Sequence, residues 1–203
     1  MKKKIFSVLL CITMLMCSST GCGVDENSSV DSTVEQSQSV EYKTIKPPED
    51  GWSIEELLNV TTFFGHQLSY PLTLDVLGDD FTIVTEDAVI KNGNVGVELD
   101  YQDEFVCMIS YTGLKKIENI KNDSVIGRMS VYKKEEFGNY ITINSISFGS
   151  NYDDVERALG TPIDDKERPE DYATWKYELK NDDGYLLVDF AHKEVISIRF
   201  GDF

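Results

Sequence analysis

Two alternating segments that match each other restrict this chain more than any other feature. Leu99-Asp100-Tyr101 lines up with Val188-Asp189-Phe190. Without a gap, Val106 then meets Val195, Ile109 meets Ile198 and Tyr111 meets Phe200. In both places apolar and polar residues alternate with period two, the pattern of a strand that buries one face. Each alternation breaks once at a short polar stretch, Gln102-Asp103-Glu104 or Ala191-His192-Lys193-Glu194, which predicts a hairpin turn. An isolated hairpin is at best marginally stable in water, so these hairpins need further strands or a helix against their apolar side. Upstream stand two similar tetrapeptides, Asp75-Val76-Leu77-Gly78 and Arg157-Ala158-Leu159-Gly160. The spacing predicts two degenerate tandem copies of one unit.

The second copy carries the fuller set of signals. Ile141, Ile143 and Ile146 predict a strand that turns at Phe148-Gly149. Ser150 and Asp153 have capping-box spacing, and Tyr152, Val155, Ala158 and Leu159 give the helix that follows one apolar face. Gly160 accepts the backbone that ends a helix, and Pro162 forbids its continuation. After an acidic loop, Thr174 to Leu179 alternates as a strand, and Asn181-Asp182-Asp183-Gly184 is turn chemistry. Tyr185 to Phe190 and Val195 to Phe200 complete a meander. Between the copies, Ser124 to Tyr132 predicts another strand, and before the first copy Ser53 with Glu56 caps a helix bearing Ile54, Leu57 and Leu58. The fold class expected is α+β, with short helices packed on an antiparallel meander sheet.

Ile146-Ser147-Phe148-Gly149, Asp153-Asp154-Val155, Ala158-Leu159-Gly160-Thr161-Pro162 and Trp175-Lys176-Tyr177, with the closing hairpin, resemble a known repeat. It is that of the β-lactamase-inhibitor-protein-like and small outer-membrane-lipoprotein fold. The resemblance implies a layer of helix on antiparallel sheet and a protein-binding or assembly role. Its motifs serve folding rather than reaction. The first copy departs from the pattern, lacking both L-G-x-P and W-x-Y.

The N-terminus reads as an address. Lys2, Lys3 and Lys4 precede an apolar run from Ile5 to Met16, and small residues Ser18 to Gly21 lead to Cys22. The run falls short of the ~20 apolar residues needed to cross hydrocarbon. The segment resembles the bacterial lipoprotein signal, which implies cleavage after Gly21 and a diacylglyceryl group on the Cys22 sulfur. Ser19 stands where that signal usually has Leu. Cys17 is the competing site, but bulky Met16 precedes it. The expected organisation is a signal peptide over 1–21, a lipid-anchored flexible linker rich in Ser, Gln and acids over 22–50, and two α+β subdomains over 51–135 and 136–203. As a flexible chain the linker would span on the order of 30 Å. With Cys11 and Cys17 removed and Cys22 acylated, Cys107 is the one remaining thiol, so burial rather than a disulfide must hold the fold. Its setting, Phe105-Val106-Cys107-Met108-Ile109, predicts a small buried hydrophobe.

Charge narrows the partners. The formal net charge is -17, and losing the three signal lysines takes it to -20. A chain this acidic repels phosphate backbones, so nucleic acid is not an expected partner. There is no glycine-rich phosphate loop, nucleophile elbow or Cys-x-x-Cys. His66 and His192 have no second ligand at metal spacing. No catalytic residue, metal or cofactor is expected, and the chain does not read as an enzyme. The densest acidic stretch, Asp164 to Asp171 with Glu167 and Glu170, does not match a calcium loop. Trp175, Tyr177 and Tyr185 are the candidate partner-binding residues. Trp175 and Tyr177 share one strand face, either as core against the helix or as an aromatic platform on the open side of the sheet. The expected function is a lipid-anchored module on the extracytoplasmic side of the cell membrane that recognises a protein. A small-ligand or glycan receptor is the alternative, and an envelope hydrolase ranks third.

Overall fold

A computed structural model describes residues 44–168, 171–182 and 184–201. The elements in chain order begin with helix α1 (Ile54–Leu58), strands β1 (Thr61–Phe63) and β2 (His66–Gln67), and helix α2 (Leu74–Leu77). Four long strands follow: β3 (Phe81–Lys91), β4 (Asn94–Tyr101), β5 (Glu104–Thr112) and β6 (Ile126–Tyr132). The rest comprises β7 (Ile141–Ile143), α3 (Tyr152–Leu159), β8 (Asp164–Arg168), β9 (Tyr172–Glu178), β10 (Tyr185–Ala191) and β11 (Glu194–Gly201).

Eight strands form one antiparallel sheet in the order β3-β4-β5-β6-β11-β10-β9-β8, and β2-β1-β7 form a small second sheet. The large sheet is two meanders that run toward each other and join where β6 pairs β11. The two proposed subdomains thus contribute to one sheet and one continuous apolar core. Cross-strand register places Leu99 beside Cys107, Cys107 beside Val131, Val131 beside Ile198, and Ile198 beside Val188. Every one of these is fully buried. Helices and the small sheet cover this face: Phe63 stacks on Phe81 at 5.3 Å, and Tyr152 of α3 stacks on Trp175 at 4.9 Å. Short helices on an antiparallel sheet are thus the observed class.

Local chemistry explains most element ends. Ser53 and Glu56 form a reciprocal capping box, which satisfies two of the backbone N–H groups that a helix start leaves over. The start of α3 differs from expectation. Asn151 is its N-cap and accepts from the Asp154 N–H, while the Ser150 hydroxyl accepts from the Ser147 N–H. An Asx side chain caps as well as serine does, so the helix simply begins one residue later. The acidic loop also differs, since Asp164–Arg168 is the edge strand β8, paired to β9. A strand on the sheet edge needs no apolar residues, and charge there deters pairing with other chains.

Packing reaches back into the stretch expected to be linker. The buried Asn144 side chain accepts from the Ile45 N–H and donates to the Ile45 carbonyl, each at 2.8 Å, and donates to Ala158 as well. Trp52 donates its indole N–H to the Leu159 carbonyl at 3.0 Å. The Lys180 ammonium stands 3.0 Å from Asp50 and 3.1 Å from Glu56.

Candidate functional site

The two faces of β9 and β10 decide where the expected binding residues go. Trp175 pairs Val188 and Tyr177 pairs Leu186, and both partners are fully buried under the helices. Trp175 therefore faces α3, in a three-ring cluster with Tyr152 and Phe190, whose centroids lie 4.7 to 4.9 Å apart. It is half-buried rather than enclosed, with the ring of Tyr152 stacked on it. Tyr177 is 5 % exposed, and its hydroxyl has no hydrogen-bond partner among the described residues. Burial and the nearby Glu156 carboxylate push that phenol well up from its ordinary value of 10.0.

Tyr185 goes to the other face. Its ring lies over Gly201, where a Cβ would come within 2.6 Å of the ring, and the Lys176 ammonium stands 5.9 Å from its centroid. The three aromatics therefore do not form one surface: two join the helix-covered side and one joins the side without helices.

That second side is a broad, mixed surface. Register sets Met108, Ser130, Arg199, Leu187 and Lys176 in one row across five strands. The next row carries Tyr132, Ser197, Asp189 and Thr174. Arg199 grips Asp189 through two hydrogen bonds of 2.9 and 2.8 Å, and the Thr174 hydroxyl donates to the same carboxylate at 2.7 Å. This fork holds the centre of the surface rigid. Tyr132 is 48 % exposed beside it. The Ser197 hydroxyl, buried in the same row, has no partner among the described residues. On β4 the Asp100 carboxyl also has an unpartnered buried oxygen. Its pKa is raised by burial and by the Asp103 and Glu104 carboxylates.

The remaining residues singled out by sequence are dispersed. His192 sits exposed in the β10–β11 turn, 3.7 Å from Asp171, and His66 packs near Gly78 and Phe81. Cys107 is fully buried, and desolvation drives its thiol far up, which leaves little reactive thiolate. Asp164 and Asp165 are successive strand residues, so their side chains diverge to opposite faces. The Glu167 and Glu170 side chains and Cys22 lie outside the described residues. Among the described residues no three His, Cys, Asp or Glu side chains stand close enough to hold a metal ion. No helix among them is long and apolar enough to cross a membrane.

Sequence reasoning missed Tyr132, Arg199 and Asp189. Tyr132 was visible as the polar-side end of an alternating strand, but the Arg199–Asp189 fork needs the β10–β11 register to appear. Family models, curated proteins and solved structures yield no match to this chain.

Proposed function

We propose that this chain is a lipid-anchored, non-enzymatic recognition module on the extracytoplasmic side of the cell membrane, and that it binds a protein partner across the helix-free face of its large sheet. The observation that carries this reading is the asymmetry of the sheet. Helices and the small sheet bury one side, while the other presents Tyr132, Met108, Leu187 and Tyr185 around the Asp189–Arg199 fork. Aromatic and aliphatic anchors beside a preorganised arginine are the composition of a protein-binding centre. Lipid on Cys22 would hold this face at the membrane, with residues between the anchor and Ile45 as the spacer.

We further infer that the two halves are degenerate copies of one helix-plus-three-strand unit, α2 with β3 to β5 and α3 with β9 to β11. Both inner hairpins turn through two non-glycine residues at positive φ, Gln102-Asp103 and His192-Lys193. Each pairing also slips at or beside the aligned aspartate, between Leu99 and Asp100 and between Asp189 and Phe190. A unit with its own apolar face, doubled about β6, supports the tandem reading.

The test is site-specific photo-crosslinking in the producing cell. A crosslinker at Tyr132 or Leu187 is expected to capture one discrete protein, whereas one at Tyr152, on the helix side, is not. Equal adducts from both faces, or none from Tyr132 and Leu187, would remove the assignment.

A further inference from the structure

The two edges of the large sheet differ in what they offer another strand. At one edge β8 reads Asp164-Asp165-Lys166-Glu167-Arg168, an unbroken run of charge. At the other, β3 closes on Ala88-Val89-Ile90-Lys91, where Val89 is 57 % and Ile90 51 % exposed. Exposed apolar residues on an unpaired edge are what a further strand can pair with. The bulge over Thr85 to Ala88 interrupts the edge upstream, and Val89 to Lys91 then run in regular register with β4.

Backbone geometry says which groups this segment presents. Asn92 and Gly93, both at positive φ, make a two-residue turn that closes on the pair Lys91–Asn94. Antiparallel ladders alternate, so Lys91 and Val89 direct their N–H and carbonyl groups to β4, whereas those of Ile90 point out of the edge. Ile90 pairs the fully buried Val95 and lies on the helix side, and Ala88 packs against the core on that side too. Val89 therefore projects on the helix-free face.

Charge decides which strand fits. Asp87 and Lys91 flank Val89 symmetrically, and both are exposed without an ion pair among the described residues. A strand of the same sequence running the other way sets Lys91 of each copy opposite Asp87 of the other. Val89 then faces Val89, and the outward groups of Ile90 meet those of Ala88. Parallel pairing in register would instead oppose lysine to lysine and aspartate to aspartate, which is unfavourable.

We propose that this chain forms a homodimer through β3, two copies pairing antiparallel over Asp87 to Lys91 about a two-fold axis at Val89. That axis stands normal to the sheet and keeps both helix-free faces on one side, so the dimer adds to the proposed binding face without depending on it.

The experiment traps the dimer in the full chain, held in detergent micelles. Val89→Cys is expected to give a disulfide-linked dimer on mild oxidation. Residues opposed without mutual hydrogen bonds hold their Cα atoms about 4.5 Å apart, within reach of a disulfide. The parent, whose Cys107 is buried, and Asp165→Cys on the β8 edge set the baseline and should give far less. In sedimentation without the added cysteine, Lys91→Glu alone and Asp87→Lys alone should each weaken dimerisation about tenfold, since like charges replace both ion pairs. An equal mixture of the two should restore it, because the mixed pair again sets opposite charges face to face. Val89→Cys giving no more dimer than Asp165→Cys, either reversal dimerising like the parent, or a mixture no better than its components would overturn the proposal. None of these outcomes touches crosslinking from Tyr132, so the two readings fail separately.

Discussion

Asp100 shows how a single side chain ties the hairpin to pH. One of its carboxylate oxygens is buried without a partner, and Asp103 and Glu104 add repulsion from the adjoining turn. Its folded-state pKa therefore lies above the ordinary 3.8. Raised acids favour the protonated folded form, so the penalty for ionising grows as pH rises past that ordinary value and is complete above the folded one. Asp100→Asn is thus expected to raise the thermal midpoint at neutral pH, and the gain should vanish as pH falls below the ordinary carboxylate range. A variant that loses stability at pH 7 would show that the charge makes a favourable contact instead. Sequence placed Asp100 on the polar side of its strand but could not show this crowding, which arises when the turn folds Asp103 and Glu104 back toward it.

At the scale of elements, local signals were legible wherever the determinant was local. The capping box of α1, the stop at Gly160, and strands β6, β9, β10 and β11 all follow from residues within a few positions of each other. Strand β3 escaped notice because Thr85 to Ala88 bulge out of register between Val84 and Val89, which breaks the alternation, although Asn92-Gly93 marks the turn after it. The small sheet escaped because β1 pairs β7, joining Thr61 to Ile143 across most of the domain. Two elements depend on single contacts that can be removed. Tyr185 covers Gly201 so closely that Gly201→Val should force the ring aside and cost about 2 kcal/mol in chemical unfolding. An unchanged midpoint would mean that the ring moves freely. Asn144 clamps the strap 45–52, so Asn144→Ala should cost about 3 kcal/mol through three lost hydrogen bonds, two to the part-buried backbone of Ile45 and one to the buried Ala158 carbonyl. Limited proteolysis near Ile45 should accelerate in parallel, and a strap that stays protected would refute the clamp.

On the scale of the whole molecule, the proposed tether would enter the domain at that strap. The proposed anchor at Cys22 makes a direct prediction: Cys22→Ser should abolish incorporation of labelled acyl chains and release the chain from membranes. Continued labelling of the Cys22→Ser protein would eliminate this site, with Cys17 the next to test. Two acyl chains contribute about 0.8 kcal/mol per buried methylene, enough for stable attachment without a spanning helix. Among the described residues the fold is held by one apolar core, and Cys107 is a buried free thiol.

From its sequence alone, this protein's strand periodicity, its turns, its helix caps and the apolar half of each strand were determined, because each depends on neighbours along the chain. Periodicity says which residues share a side of a strand. It does not say which side another layer will cover, and so it left Trp175 and Tyr177 open between core and platform. Tertiary structure decided that question by laying α3 across Trp175 and placing Tyr185 over Gly201 on the opposite face. It also built the Arg199–Asp189 fork from residues that only cross-strand register brings together. The physical reason is that burial is a property of the assembled layers, and the contacts that assemble them join residues far apart in the chain.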